Sequence, residues 1–195
     1  MKYPQLRILV GRLYFNTEDV SEILNISENS ARVLCARYVA KGLFIRLKKN
    51  FYILKERWDK NTPEDFYRLA NILQVPSYIS LMTALSFYEV TTQVQRGVFE
   101  SVCIKRSIRY EIEGVAFNFY KLRKELYSGF TKQDNLFIAT KEKAFLDAMY
   151  LYSFGKYAFD IDSLDINKLD LKKIGRLLKD YPEKTKKLVK DICRI

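Results

Sequence analysis

The residues with most to offer chemically in this 195-residue sequence form two sets. The first is Ser27, Asn29, Ser30, Arg32, Val33 and Arg37, followed closely by Lys48 and Lys49. Arginine and asparagine pair bidentately with guanine and adenine edges, valine meets a thymine methyl, and hydroxyl and ammonium groups hold phosphates. The second set is the carboxylates Glu111, Glu113, Glu142 and Asp147, where a suitably held pair would bind a divalent metal and cleave a phosphodiester. Histidine is absent, which excludes Ser-His-Asp and Cys-His nucleophiles, imidazole bases and imidazole-bearing zinc sites. Seven dispersed glycines write neither GxGxxG nor GxxxxGK, so the common phosphate loops are missing. No cofactor and no metal is expected. Cys35, Cys103 and Cys193, odd in number and far apart, read as packing residues of a reducing compartment.

The first set needs a helix that shows these side chains on one side and closes a core with the other. The stretch 28–41 has that pattern. At about 100° per residue with Asn29 at zero, Ala31, Leu34, Cys35 and Tyr38 fall between about 140° and 240°. Asn29, Arg32, Val33, Ala36 and Arg37 fall between about 300° and 80° on the same wheel. Ser27 caps the start, Glu28 suits the first turn, and Gly42 ends the helix as a left-handed residue. A helix over 5–13 and another capped by Asn16 or Thr17 and running through Leu24 precede it, with Asn25-Ile26 as a tight turn. Two β-prone runs, 43–47 and 51–54, follow around Lys48-Lys49-Asn50, read as a three-residue hairpin loop. Helix, helix, helix, hairpin predicts a winged helix-turn-helix over 1–56. From Asn29 through Lys55 the basic residues are Arg32, Arg37, Lys41, Arg46, Lys48, Lys49 and Lys55, with no acid among them. With 34 Lys+Arg against 23 Asp+Glu, the formal charge is +11, and double-stranded DNA is the partner this module suits.

The remainder predicts an α+β protein. A connecting helix covers 57–75, with Thr62-Pro63-Glu64-Asp65 as its start signal. A mixed α/β domain with a small antiparallel sheet covers 76–152: a helix Tyr78 to Tyr88, strand-like runs at 98–104, 109–112, 115–120 and 136–139, and a Thr140-capped helix over 141–152. Glu113-Gly114 supplies a hairpin turn. Residues 153–195 read as a basic helical C-terminal segment broken at Tyr181-Pro182. Within the long helix, Glu142 suits the dipole and Lys143 pairs with Asp147 at i,i+4, so a charged surface or a buried pair describes these groups better than a metal site. The N-terminus lacks the apolar segment of a signal peptide, and no run of about 18 apolar residues occurs, so a cytoplasmic location without a membrane partner is expected.

Two stretches together are similar to the AbiEi-type antitoxins, transcriptional regulators of viral defence systems: Pro76-Ser77-Tyr78-Ile79-Ser80-Leu81-Met82-Thr83-Ala84-Leu85-Ser86-Phe87-Tyr88, and Thr140-Lys141-Glu142-Lys143-Ala144-Phe145-Leu146-Asp147, which resembles that family's T-P-E-K-A-x-x-D helix start with Lys141 in place of proline. Ile104-Lys105-Arg106 and Phe117-Asn118-Phe119 resemble its intervening strands. The resemblance spans roughly residues 5–152 and implies a non-enzymatic repressor of its own operon that counteracts a nucleotidyltransferase-like toxin, directly or indirectly. It leaves both a monomer and a homodimer on DNA open. The residues themselves also admit a metal-dependent nuclease targeted by the winged helix, and a winged helix that binds protein through Phe44, Phe51 and Tyr52.

Overall fold

The computed structural model describes residues 2–93, 95–133 and 135–194. The chain divides into two compact units, Met1–Leu69 and Ala70–Ile195.

In the first unit, α1 (Tyr3–Leu6) and a 3-10 turn (Arg7–Gly11) stand where one helix over 5–13 was expected. Gly11 and the extended backbone of Arg12 end that stretch before Asn16. Helices α2 (Thr17–Leu24) and α3 (Glu28–Ala40) follow, then strands β1 (Phe44–Lys48) and β2 (Phe51–Leu54). Asn16 caps α2 in a reciprocal box with Asp19, and Asn25 (φ +48°) turns the chain so that Ser27 can cap α3. Ala31, Cys35 and Tyr38 point from α3 into a core with Leu6, Leu9, Phe15, Val20, Phe44, Tyr52 and Leu54. Phe44 is its hub, edge-on to Phe15 at 4.9 Å and to Tyr38 at 5.2 Å. Burying each such ring stabilises the unit by about 2–3 kcal/mol. Phe15 and Tyr52 exchange two backbone hydrogen bonds of 2.8 Å, adding a third short edge to the hairpin.

The hairpin is tighter than expected: Lys48 belongs to β1 and pairs with Phe51, a bulge lies between Arg46 and Lys48, and only Lys49 and Asn50 form the turn. The expected helix over 57–75 is instead two, α4 (Lys55–Trp58) and α5 (Pro63–Leu73). The break has a local cause. Thr62 and Asp65 bond each other's backbone N–H at 3.1 and 3.3 Å, and a capping box of this kind starts a new helix rather than continuing an old one.

The second unit is built on a six-stranded mixed sheet, ordered β5-β6-β4-β3-β8-β7. Its strands are β3 (Ser77–Ile79), β4 (Val98–Cys103), β5 (Ile108–Ile112), β6 (Val115–Lys121), β7 (Phe130–Gln133) and β8 (Leu136–Ala139). The pairs β4–β6 and β3–β8 are parallel, which corrects the expectation of a small antiparallel sheet. Burial explains the order. β6 buries Ala116, Phe117 and Phe119 and so takes an interior place against β4, whereas β5 carries the exposed Arg109 and Glu111 and is pushed to the edge. The expected helix from Tyr78 to Tyr88 is also corrected, because Ser77, Tyr78 and Ile79 pair with β4 and β8, and the helix α6 begins only at Leu81 and ends at Phe87.

Helix α7 (Lys141–Ser153), capped by Thr140, is buried on nearly every side. α6, α8 (Leu171–Leu177), α9 (Glu183–Cys193) and β8 surround it. The basic C-terminal segment is therefore amphipathic and built into this unit: Ile174, Leu178, Tyr181, Thr185, Val189 and Cys193 are buried, while its lysines face outward. No described helix is long and apolar enough to cross a membrane.

Candidate nucleic-acid interface

The side of α3 opposite the core carries Asn29, Ser30, Arg32, Val33, Ala36 and Arg37, all exposed. Val33 is 60% exposed, an apolar group standing among polar ones. Neither Arg32 nor Arg37 pairs with a carboxylate among the described residues. An open groove of about 690 Å³ runs along this side, lined by Asn29, Ser30, Val33 and Arg37 together with Lys2 and Lys41. Arg32 lies toward the hairpin, where it and Arg46 partly offset the rise in the Tyr52 phenol's pKa that burial causes.

Ser27 is spent on the cap: its Oγ accepts from the Ser30 backbone N–H at 3.3 Å, and the two serine hydroxyls are 3.0 Å apart. Lys49 is exposed at the hairpin turn, whereas Lys48 is half-buried with its ammonium 4.3 Å from the Phe51 ring centre. The turn itself is fixed. Asn50 (φ +60°) accepts from the Thr17 backbone N–H at 3.1 Å and hydroxyl at 2.6 Å. Its amide donates to both Glu18 carboxylate oxygens at 3.0 and 3.2 Å. With the backbone N–H of Glu18, that amide holds the Glu18 carboxyl below its ordinary range. The hairpin tip is thereby tied to the start of α2.

Acids elsewhere in this unit are mostly engaged away from α3, Asp19 with Arg12, Glu56 with Arg7 and Asp59 with Lys55. Cys35 is a packing thiol pushed up to about 11 by burial. Phe44 and Tyr52 are consumed by the unit's own core, at 2% and 6% exposure, which removes two of the three rings expected to dock a protein partner. Lys2 was not anticipated. It reaches the groove because Tyr3, its neighbour, packs edge-on against Tyr38 at 5.7 Å, a long-range contact with no local sequence signal.

The carboxylates of the second set are scattered. Glu111 and Glu113 are exposed, while Glu142 is buried with Oε1 accepting from the Asp170 backbone N–H at 3.3 Å. Asp147 is fully buried and its oxygens are shared among donors. Oδ1 meets the Lys143 ammonium and the Tyr181 hydroxyl, and Oδ2 accepts from Ser80 at 2.8 Å and Tyr78 at 3.0 Å. Burial raises this carboxyl's pKa, against the opposing pull of Lys143 and the hydroxyls. The i,i+4 pair is thus the buried alternative allowed by the sequence. Another buried carboxyl, Glu100, carried no signal in the sequence. It accepts from the Tyr157 hydroxyl at 2.6 Å, and burial pushes it up to about 7.

No protein-family model matches the chain, and no curated protein is significantly similar to it.

Proposed function

We propose that the first unit is a winged helix-turn-helix that reads duplex DNA with α3, and that the protein is a non-catalytic transcriptional repressor and antitoxin. The observation that carries the DNA-reading part is the division of α3: Ala31, Cys35 and Tyr38 close the core, and Asn29, Arg32, Val33, Ala36 and Arg37 stand unobstructed on the other side. On this reading Arg32 and Arg37 take guanine edges, Asn29 an adenine, Val33 a thymine methyl, and Ser30, Lys49 and Lys2 the phosphates. The Asn50 bonds to Thr17 and Glu18 hold the turn that carries Lys49 against the start of α2. The antitoxin part rests on the likeness of residues 76–88 and 140–147 to AbiEi-type proteins, with a nucleotidyltransferase-like toxin as the counterpart.

A gel-shift titration against the DNA upstream of its own gene tests the first part. Specific complexes that weaken steeply with salt are expected, and equal affinity for a scrambled duplex at physiological salt would overturn the reading. Arg32→Ala is expected to cost about 1–3 kcal/mol of discrimination at a single base pair. Lys48→Ala combined with Lys49→Ala is expected to weaken all sequences alike and flatten the salt slope by about 1–2. Co-expression with an adjacent nucleotidyltransferase-like gene tests the second part, with restored growth as the expected result.

A further inference from the structure

Another concavity lies in the second unit. The turn after β4 (Lys105, Arg106, Ser107), the end of β6 (Lys121, Leu122, Arg123), and the end of α7 with the turn beyond it (Tyr150, Phe154, Lys156) border a cavity of about 470 Å³. Lys105, Arg106, Lys121, Arg123 and Lys156 are all exposed, and none has a carboxylate partner or donates a side-chain hydrogen bond among the described residues. Single surface lysines are ordinary and call for no explanation. Five cations brought from three separate elements to one concavity, with no acid lining it, repel one another, and an anion in the cavity would relieve that repulsion.

The aromatic wall narrows the chemistry of the anion. Phe154 is 38% exposed, a large ring left at the surface, and it is braced by Tyr150 at 5.2 Å between ring centres. The Lys184 ammonium lies over the Phe154 ring, 5.6 Å from its centre, and adds a sixth positive charge beside the part of the ring that stays exposed. Gly155 (φ +65°) ends α7, with Gly155 and Lys156 N–H groups bonding back to Tyr152 and Leu151 at 2.9 Å, so Phe154 and Lys156 sit on a hydrogen-bonded helix end. Cations beside an exposed ring fit phosphate joined to an unstacked base. A duplex offers phosphates but keeps its base faces inside the stack, and an acidic peptide offers carboxylates without a ring to stack.

We infer that this cavity binds a nucleotide unit through its phosphates and its exposed base, supplied either by a single-stranded nucleic acid or by a free nucleoside polyphosphate. The site is independent of the duplex-reading role of α3.

Fluorescence anisotropy of the full chain with a labelled eight-nucleotide oligoadenylate, and with a hairpin duplex of equal charge, tests this. Lys121→Ala combined with Arg123→Ala should weaken the single strand at least tenfold and flatten its salt slope by about 1.4. Phe154→Leu keeps an apolar side chain at the surface and should cost about fivefold or more with the slope unchanged. Arg32→Ala with Arg37→Ala should leave single-strand binding as it was, which separates this site from the α3 reading. Competition by ATP assigns a free nucleotide, and single-strand binding indifferent to ATP assigns a strand. Single-strand affinity unaltered by Phe154→Leu, displacement by polyglutamate as effective as by oligonucleotide, or no single-strand binding would overturn the inference.

Discussion

Glu100 sits at the third position of β4, 3% exposed, with the Tyr157 hydroxyl on its Oε2 and its backbone N–H on Thr83 Oγ1 at 2.9 Å. Because burial lifts this carboxyl to about 7, the folded state holds its proton over a range where the unfolded chain, near the ordinary 4.5, has released it. The stabilising effect of that proton is complete below about 4.5, shrinks as pH climbs to 7, and is gone above it. The loss is on the order of 3 kcal/mol over the interval. Glu100→Gln keeps the shape without the ionisation, so its urea midpoint should be close to that of the parent at pH 4.5 and clearly higher at pH 8. A difference that does not grow with pH would show that Glu100 is not protonated in the fold. Nothing near Glu100 in the sequence announces this, since its burial comes from β3 and β6 on either side and from Tyr157, 57 positions away.

Among the elements, the β1–β2 hairpin depends on one residue more than on its strand pairing. Asn50 supplies a left-handed backbone and four side-chain hydrogen bonds to Thr17 and Glu18. Asn50→Ala should lower stability by about 2 kcal/mol, combining the strain of a positive φ with the lost bonds. Asn50→Gly, which relieves the strain but not the loss of bonds, should cost about 1 kcal/mol. Urea unfolding of the three proteins measures both steps, and equal midpoints for alanine and glycine would show that φ is not the issue. The sequence made α3 legible because its caps, its stop glycine and its two faces are all encoded within sixteen residues. It also marked Asn50 as a residue tolerant of positive φ, but the partner 33 positions upstream is a product of folding. The stretch Tyr78-Ile79, expected as the start of a helix, differs for a related reason. Its apolar spacing suits a helix, and the open hydrogen-bonding edges of β4 and β8 recruit it as a strand. β7 carried too little alternation to be foreseen.

Over the molecule as a whole, long-range order in the second unit converges on the Lys143–Asp147 pair, which Tyr78 and Ser80 join from the sheet side and Tyr181 from the C-terminal segment. Gly129 (φ +71°) passes so close that a Cβ there would stand 3.1 Å from the Lys143 side chain. Lys143→Met strands a buried carboxylate and should destabilise the protein by about 3–5 kcal/mol, whereas Lys143→Met with Asp147→Leu should cost less than that single change. Thermal melts of the two variants decide the point, and a double variant weaker than the single one would contradict it. The same pair shows why the tail could be recognised as helical and basic but not as integral, for its inward polar anchors, Tyr181 at this pair, Thr185 on Ser153 and Tyr157 on Glu100, are apparent only once the elements they meet are in place. A protein without imidazole has another property on this scale: its outward charge hardly alters between pH 6 and 8, while Glu100 exchanges its proton out of reach of solvent. Acidity in that interval acts chiefly on the interior. The grip on a polyanion should hold level across a buffer series in which resistance to unfolding drifts, so the two properties can be adjusted separately.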